Sequence, residues 1–326
     1  MPKILHTYRY TGTPWEILES VVPDGFTVKT LDEPTYEQLL NEVVDADYLL
    51  VSGRLPIDKP VLDAAKKLKM IQRTGVGTEM LDLEEIKKRN IPVYVNAGVN
   101  ARSVAEHTIT LILACLKRLT IVDRQVRNGI WKKQETGTLC HELYGKKVGL
   151  VGMGAIGKLV AGYLNAFGAE VYYTDPFRLS SDDEQKLNVH YVAMMENLLP
   201  MVDVLSLHCP LTKENEMMMN SDTLPLLRQG AILVNTARGK LIDEDALYDL
   251  LSDGHIAFAG LDVHYEEPMK KGDRFMALDN VILTPHVAGL SFETFRKMMQ
   301  EAVENIVAFD KGNVCNPKKM ILNQLL

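Results

Sequence analysis

Apolar and polar positions along this chain follow two alternating rhythms. Short, nearly continuous apolar runs fall at Lys3–Thr7, Phe26–Leu31, Tyr48–Val51, Met70–Gln72 and Val93–Val95. Between them, Trp15–Val21, Tyr36–Val44, Pro60–Ala65 and Leu83–Lys88 repeat their apolar residues at helical spacing. Apolar strands separated by amphipathic helices predict a parallel sheet covered on both faces. A second series follows at Lys147–Val151, Ala169–Thr174, Val202–Leu207, Ala231–Asn235, Ala257–Leu261 and Val281–Thr284, with helical segments near Asp222–Leu227 and Glu244–Ser252. Ala101–Arg118, rich in Ala, Val, Leu and Ile, predicts a long helix buried nearly all round, joining two domains or lying in a subunit interface. A further helix over Ile121–Arg127 ends at Asn128-Gly129, with Trp131 as its expected packing anchor. Phe292–Phe309 predicts one helix returning onto the first domain, and the tail around Asn316-Pro317 has no repeat character.

One stretch turns this α/β pattern toward a ligand. Lys147–Val151 runs into Gly152-Met153-Gly154-Ala155-Ile156-Gly157 and on into the helical pattern Lys158–Asn165. A strand that turns sharply into a helix aims backbone N–H groups at the helix N-terminus, where a pyrophosphate fits. Gly152 would allow the turn, Gly154 the approach of a phosphate, and Gly157 the close helix–strand contact. Glycines alone also suit ordinary turns, but Ala169–Asp175 adds a strand ending in an acid 23 residues beyond Gly152. A carboxylate there accepts both ribose hydroxyls of an adenosine and repels a 2′-phosphate, so Asp175 points to NAD over NADP. Pro176 keeps a plain turn carboxylate open as the alternative, and Arg178 is the neighbour able to soften the exclusion of NADP. The expected fold is α/β with two doubly wound parallel-sheet domains. A flavodoxin-like substrate domain spans 1–98 and is completed by 290–326; a Rossmann nucleotide-binding domain spans 99–289.

Composition removes several function classes. A length of 326 residues suits two medium domains better than one core. Net charge is -7 and the lysines are scattered, so no nucleic-acid footprint is present. No apolar run is long enough to span a bilayer, and Met1–Leu5 leads directly into a strand, leaving no room for a signal peptide. A cytoplasmic protein is expected. Cys115, Cys140, Cys209 and Cys315 form no C-x-x-C pair and read as reduced structural thiols. The histidines make no H-x-x-x-H or H-E-x-x-H arrangement, so no metal is expected. Met194-Met195 and Met217-Met218-Met219 are expected to fill the core from helix faces.

The candidate chemistry sits at strand ends. Arg238 follows Ile232–Ala237, Glu267 follows Gly260–Glu266, and His286 follows Ile282–Pro285, all on the side of the sheet that carries the glycine loop. Reducing a 2-oxo acid needs a hydride at C2 and a proton on its oxygen. Histidine, with an ordinary pKa of about 6.5, suits the proton. A carboxylate beside it favours the imidazolium, and an arginine fork holds a substrate carboxylate while polarising the keto oxygen. Taken singly, each residue has a plain structural alternative; three together beside a dinucleotide loop point to a site. In the first domain, Ser52-Gly53-Arg54 and Gly75-Val76-Gly77 place glycine just past strand ends. Those loops either hold a carboxylate through exposed N–H groups or are ordinary βα turns.

These motifs together resemble the D-isomer-specific 2-hydroxyacid dehydrogenases, a family with formate, D-lactate, glyoxylate/hydroxypyruvate and phosphoglycerate dehydrogenases among its members. The likeness is carried by Arg102-Ser103-Val104-Ala105-Glu106-His107, the glycine loop with Asp175, and Leu207–Thr212. Asn235–Gly239, Gly260–Val263 with Glu267-Pro268, and Thr284–Gly289 complete it. The resemblance implies NAD as cofactor, Arg238 as substrate binder, Glu267 as partner of the histidine, and His286 as acid/base. It implies that Ser52, Gly53, Arg54, Val76 and Gly77 grip the substrate carboxylate. It also places Gly152, Met153, Gly154, Ala155, Ile156, Gly157, Asp175, His208, Cys209, Pro210, Thr236, Ala237, Asp262 and His286 at the cofactor. Members are usually homodimers, with the long helix in the interface, and close a cleft by hinges that fall near 98–101 and 287–291 here.

Departures from the family pattern bear on the substrate. Asn96-Ala97-Gly98 lacks the usual proline, Glu79-Met80 replace the commoner Asn/Asp pair after Gly77, and no tryptophan stands close behind His286. A chain of this length is expected to lack the regulatory domain of many phosphoglycerate dehydrogenases. The main expectation is an NAD-dependent oxidoreductase interconverting a D-2-hydroxy acid and its 2-oxo acid, with a small or medium polar substituent and a glyoxylate/hydroxypyruvate-like or phosphoglycerate-like substrate. The alternatives are an NAD-sensing, non-catalytic scaffold and a phosphite- or formate-type dehydrogenase.

Overall fold

The computed structural model describes residues 1–313 and 320–322. The chain divides into two compact units, one made of residues 1–100 and the chain from Ser291 onward, the other of Ala101–Leu290. Asn316, Pro317 and Cys315 lie outside the described residues.

In the first unit, strands β1 (Lys3–His6), β2 (Thr27–Thr30), β3 (Tyr48–Val51), β4 (Met70–Arg73) and β5 (Val93–Tyr94) alternate with helices α1 (Thr13–Val21), α2 (Tyr36–Glu42), α3 (Lys59–Ala64) and α4 (Leu83–Lys88). The strands pair in parallel in the order 5-4-3-1-2, the flavodoxin-like arrangement. A short strand at Met320–Leu322 adds an antiparallel edge on β5. Strand side chains alternate between faces. Leu5, Leu49, Val51 and Ile71 meet Leu39, Val61, Leu62 and Ile86 on one side. On the other, Ile4, Tyr48, Leu50 and Met70 meet Ile17, Leu18 and the returning helix Phe292–Asp310.

That helix belongs to this unit because Met298, Met299, Val303 and Ile306 are buried there, each worth roughly 1.5–3 kcal/mol. A chain of side-chain amides adds direction. Asn96 Nδ2 donates to Met298 O at 2.8 Å, Gln72 Nε2 to Asn96 Oδ1 at 3.1 Å, and Asn305 Nδ2 to Gln72 Oε1 at 3.1 Å.

The second unit opens with α5 (Ala101–Leu116), α6 (Leu119–Arg127) and α7 (Lys133–Gly137). Its strands are β6 (Lys147–Val151), β7 (Glu170–Thr174), β8 (Val189–Tyr191), β9 (Val204–Leu207), β10 (Ala231–Asn235), β11 (Ile256–Leu261) and β12 (Val281–Leu283). Helices α8 (Ala155–Ala166), α9 (Ser181–Leu187), α10 (Met195–Leu198) and α11 (Glu244–Ser252) lie between them. The parallel sheet runs 12-11-10-9-6-7-8, so the order reverses between β6 and β9, where doubly wound folds bind dinucleotides. Helices α5 and α8 cover one face with Ile112, Cys115, Val160 and Leu164 against Val148, Leu150 and Val234. Leu198, Leu224, Leu247, Leu251 and Phe275 cover the other against Leu205, Leu207, Leu233 and Leu261.

Several expectations fail for identifiable reasons. Trp131 anchors nothing and is 81% exposed, because α6 buries none of its own side chains. Helix α5 is not buried all round: Arg102, Glu106 and Thr110, one turn apart, form an exposed stripe. His107 stands off that exposed stripe: it shares a face with Ser103 and Leu111, and its Nε2 lies 3.1 Å from Thr284 Oγ1. The helix over Asp222–Leu227 shrinks to a 3-10 turn at Leu224–Leu226, where Pro225 has no N–H to extend it. The methionine runs fill the core only in part: Met194 and Met217 are exposed, Met195 at the start of α10 and Met218 pack on the core half-buried, and Met219 is fully buried in an extended segment bridged to Ile242.

Candidate active site

The glycine loop of the second unit shows a different need at each glycine. Gly152 has φ +103°, and a Cβ there would stand 2.8 Å from the Cys209 N and the His208 carbonyl carbon at the end of β9. A Cβ on Gly157 would fall 2.3 Å from the Gly152 oxygen, so only glycine lets α8 approach the strand. At Gly154 a Cβ would meet nothing within 4 Å. Gly154 caps α8 without a side-chain bond, leaving the helix N-terminus free to bind an anion. Ala155 and Ile156 form that first turn, and the Met153 N–H is taken by Asp175.

Asp175 lies just beyond β7, with Oδ2 accepting from Met153 N at 2.7 Å and Oδ1 from Phe177 N at 2.8 Å. Arg178 is committed elsewhere. Its fork meets Glu184 at 2.9 and 3.0 Å, holding that carboxyl down to about 2, and it stacks on Tyr191. Across the reversal point, His208 shares a hydrogen bond of 3.0 Å with Ser206 Oγ, while its enclosed Nδ1 has no protein partner. Burial pushes the His208 ring down to about 4 and the Cys209 thiol up to about 11, so both are neutral at ordinary pH. Pro210 follows, its carbonyl held by Asn215 Nδ2 at 2.7 Å. The free helix N-terminus, the open space at Gly154, the Asp175 carboxylate and the orphaned His208 nitrogen fit a dinucleotide.

Three further strand ends carry the polar residues. After β10, Thr236 Oγ1 lies 2.9 Å from Thr108 Oγ1, and Ala237 N donates to Asn235 Oδ1 at 3.0 Å. Asn235 Nδ2 donates to the Arg238 carbonyl at 2.9 Å, closing a tight turn before Gly239. After β11, Glu267 Oε1 accepts the His264 N–H at 3.0 Å, and Oε2 lies 2.7 Å from His286 Nδ1. Partial burial pushes the Glu267 carboxyl up, but its bonds with His286 and the His264 N–H outweigh this and leave it below the usual range. A carboxylate on Nδ1 leaves Nε2 of the same ring to face a reactant.

His286 itself takes a left-handed backbone, φ +55°, which is uncommon outside glycine. The buried Asp262 maintains it. Its backbone oxygen accepts His286 N at 2.7 Å, Oδ1 accepts Val287 N at 2.9 Å and the Thr284 hydroxyl at 2.5 Å, and Oδ2 accepts Ala288 N at 2.8 Å. The resemblance places Asp262 at the cofactor, but its side chain is almost wholly buried. The hydrogen bonds to its carboxylate make it a brace under the His286 loop.

The motifs did not disclose His264. Its N–H fixes Glu267, its Nε2 lies 2.9 Å from Thr284 O, and a Cβ on Gly239 would stand 2.1 Å from its carbonyl. One segment therefore touches the Glu267, His286 and Arg238 loops. The only sequence signal was its place between Asp262 and Glu267.

In the first unit, Ser52 corrects one expectation. Its N–H donates to Thr7 Oγ1 at 3.1 Å, so it is not offered to a ligand. Among the described residues, the N–H groups of Gly53, Arg54, Val76 and Gly77 show no protein acceptor. Arg54 stacks over the Tyr8 ring at 4.6 Å.

A doubly wound sheet with a glycine loop at its strand-order reversal, a carboxylate at the end of the next strand and a carboxylate–histidine pair is the arrangement of a nicotinamide-dependent oxidoreductase. Residues 109–288 match the model of the D-isomer specific 2-hydroxyacid dehydrogenase NAD binding domain. A glyoxylate reductase of Korarchaeum cryptofilum is 39% identical over 283 residues, 86% of this chain and 85% of that one. A D-3-phosphoglycerate dehydrogenase of Mycobacterium bovis is 36% identical over 87% of this chain, which spans 53% of that protein. The structure of D-lactate dehydrogenase from Aquifex aeolicus with NAD and lactic acid superposes with a TM-score of 0.84 at 30% identity, covering 98% of this chain and 99% of that one. The chain belongs to the D-isomer-specific 2-hydroxyacid dehydrogenase family. Its activity is NAD-dependent oxidation and reduction within that substrate class.

We expect Asp175→Ala to weaken NAD binding and relax the preference over NADP, since the change removes the carboxylate expected beside the adenosine ribose and its bonds to Met153 and Phe177. Titration of cofactor fluorescence reads both, and unchanged selectivity would place the discrimination elsewhere.

Proposed function

We propose that the enzyme reduces a small 2-oxo acid of the glyoxylate or hydroxypyruvate type with NADH. The Glu267–His286 pair carries this reading, a hydrogen bond of 2.7 Å on a loop held in a left-handed turn. Identity to a glyoxylate reductase along most of both chains supports the small acid. In this proposal Gly154, Ala155 and Ile156 offer the start of α8 to the pyrophosphate, Gly152 and Gly157 shape the turn, Met153 gives its N–H to Asp175 instead of to the ligand, and Asp175 meets the adenosine. His208, Cys209, Pro210, Thr236 and Ala237 shape the nicotinamide side.

Bound NADH supplies the hydride that C2 of the oxo acid receives. Arg238 holds the substrate carboxylate and draws electron density from the keto oxygen. His286 delivers a proton from Nε2 to that oxygen as its charge develops. Glu267, kept ionised, stabilises the imidazolium and orients the ring through Nδ1. In the first unit, Gly53, Arg54, Val76 and Gly77 offer N–H groups suited to a carboxylate.

The same proposal includes a cytoplasmic homodimer. The segment from Leu119 to Leu139 exposes Leu119, Val126, Ile130, Trp131 and Leu139, apolar surface that a second copy would cover. Cys115, Cys140 and Cys209 are free thiols, which suits a reducing compartment. Sedimentation of the purified chain tests the dimer, and cell fractionation tests the location; a monomer at micromolar concentration removes the first.

NADH oxidation against glyoxylate, hydroxypyruvate, pyruvate, phenylpyruvate and branched oxo acids tests the function. We expect the highest kcat/KM with one of the first two, falling by roughly 10²-fold or more in His286→Ala while NADH still binds. Preference for a bulky acid would sink the substrate assignment, and normal turnover in His286→Ala would sink the proton donor. Glu267→Gln gives an independent check. The amide keeps the size of the side chain but lacks the charge that stabilises the imidazolium donating the proton, so kcat/KM for reduction should fall while NADH affinity is retained; an unchanged kcat/KM would remove Glu267 from the mechanism.

A further inference from the structure

The side chain of Arg73, at the end of β4, is fixed between two loops of the first unit. Its Nε donates to Gly77 O at 2.7 Å, and Nη1 donates to Val51 O at 3.0 Å and Thr74 Oγ1 at 3.4 Å. Nη2 fills the space that any side chain at position 53 would need: a Cβ on Gly53 would stand 2.0 Å from Nη2 and 2.4 Å from Cζ. Gly53 also has φ +83°, so both its backbone and the guanidinium behind it exclude larger residues. One planar, permanently charged group thus spans the loop after β3 and the loop after β4. His6, packed nearby, is pushed down to about 4, mainly by burial, with the Arg73 charge adding to the shift. It carries no charge at working pH, so it does not repel the arginine.

We infer that Arg73 is a positioning residue for the substrate carboxylate, an assignment that rests on reading the 53–54 and 76–77 loops as its grip. By holding the carbonyls of Val51 and Gly77 on one fork, Arg73 fixes the distance between the two sets of N–H groups. It also places a positive charge behind them. A lysine would keep the charge but lose the fork, and a methionine would lose both.

The test uses the full chain with glyoxylate and NADH, reading KM, kcat, NADH affinity and melting temperature. Arg73→Met should raise KM by about tenfold or more, because small misplacements of binding groups are costly, with a much smaller fall in kcat and unchanged NADH affinity. Arg73→Lys should fall between Arg73→Met and the parent, and Gly53→Ala should reproduce the KM effect by displacing the guanidinium. Val76→Pro, which removes one N–H without touching Arg73, separates the two claims. If Val76→Pro raises KM while Arg73→Met and Gly53→Ala leave it unchanged, the Arg73 assignment fails and the loop reading stands. If all three keep the parent KM, the loop reading itself is lost. A lower melting temperature with KM retained would make Arg73 a purely structural brace and overturn the assignment. Should Arg73→Met fail to fold, Arg73→Lys carries the same comparison.

Discussion

A carboxylate that is almost wholly buried must be met by donors, and the second unit is built around how Asp262 meets that demand. An unpaired charge there would cost several kcal/mol even after relaxation. The donors are the Thr284 hydroxyl, before His286, and the N–H groups of Val287 and Ala288, after it. Satisfying Asp262 therefore shapes the turn that presents the imidazole. A non-glycine residue in a left-handed conformation carries about 1–3 kcal/mol of strain, and the surrounding bonds over-determine it. His107 and His264 extend the network, meeting Thr284 through its hydroxyl and its carbonyl. The carboxylate–histidine pair is thus held by a scaffold several residues deep, as a site that must keep its geometry requires.

The two units solve one packing problem with two parallel sheets, and each reverses its strand order beside β1 or β6. Close approach decides what each reversal can hold. At Gly152 and Gly157 the missing side chains let backbone meet backbone, while Gly154 opens outward. At Gly53 the missing side chain admits a guanidinium instead. Glycine at a strand end therefore signals two different things, and what packs behind it separates them.

Much of the fold was legible because its strands are apolar runs and its helices amphipathic. The glycine spacing and Asp175 identified the nucleotide loop, and strand-end position alone singled out Arg238, Glu267 and His286. What escaped were properties set by partners distant in sequence. Ser52 loses its N–H to Thr7, 45 residues away, and Asp262 is buried beneath a loop 22 to 26 residues later. The exposure of Trp131 goes with an α6 that rests on its unit only through partly buried side chains such as Ile121, which no local pattern records. The helix over Ser181–Leu187 was missed because it buries no side chain and so has no apolar stripe to read.

The sign of the charge at each sheet edge argues for the division of labour. Burial brings His6 and His208 both down to about 4, so neither imidazole contributes charge at neutral pH. The character of each edge is then set by its other charged groups. In the second unit the group nearest the glycine loop is Asp175, suited to ribose hydroxyls and opposed to an extra phosphate, while Arg178 is tied to Glu184. In the first unit the groups near the corresponding reversal are Arg54, stacked on Tyr8, and Arg73. An adenosine is suited to the acidic edge and a small carboxylate to the basic one. With backbone N–H donors beside both, the sign of the charge adds to loop shape in separating the two edges, and the acidic edge of the second unit is the one that fits the proposed cofactor.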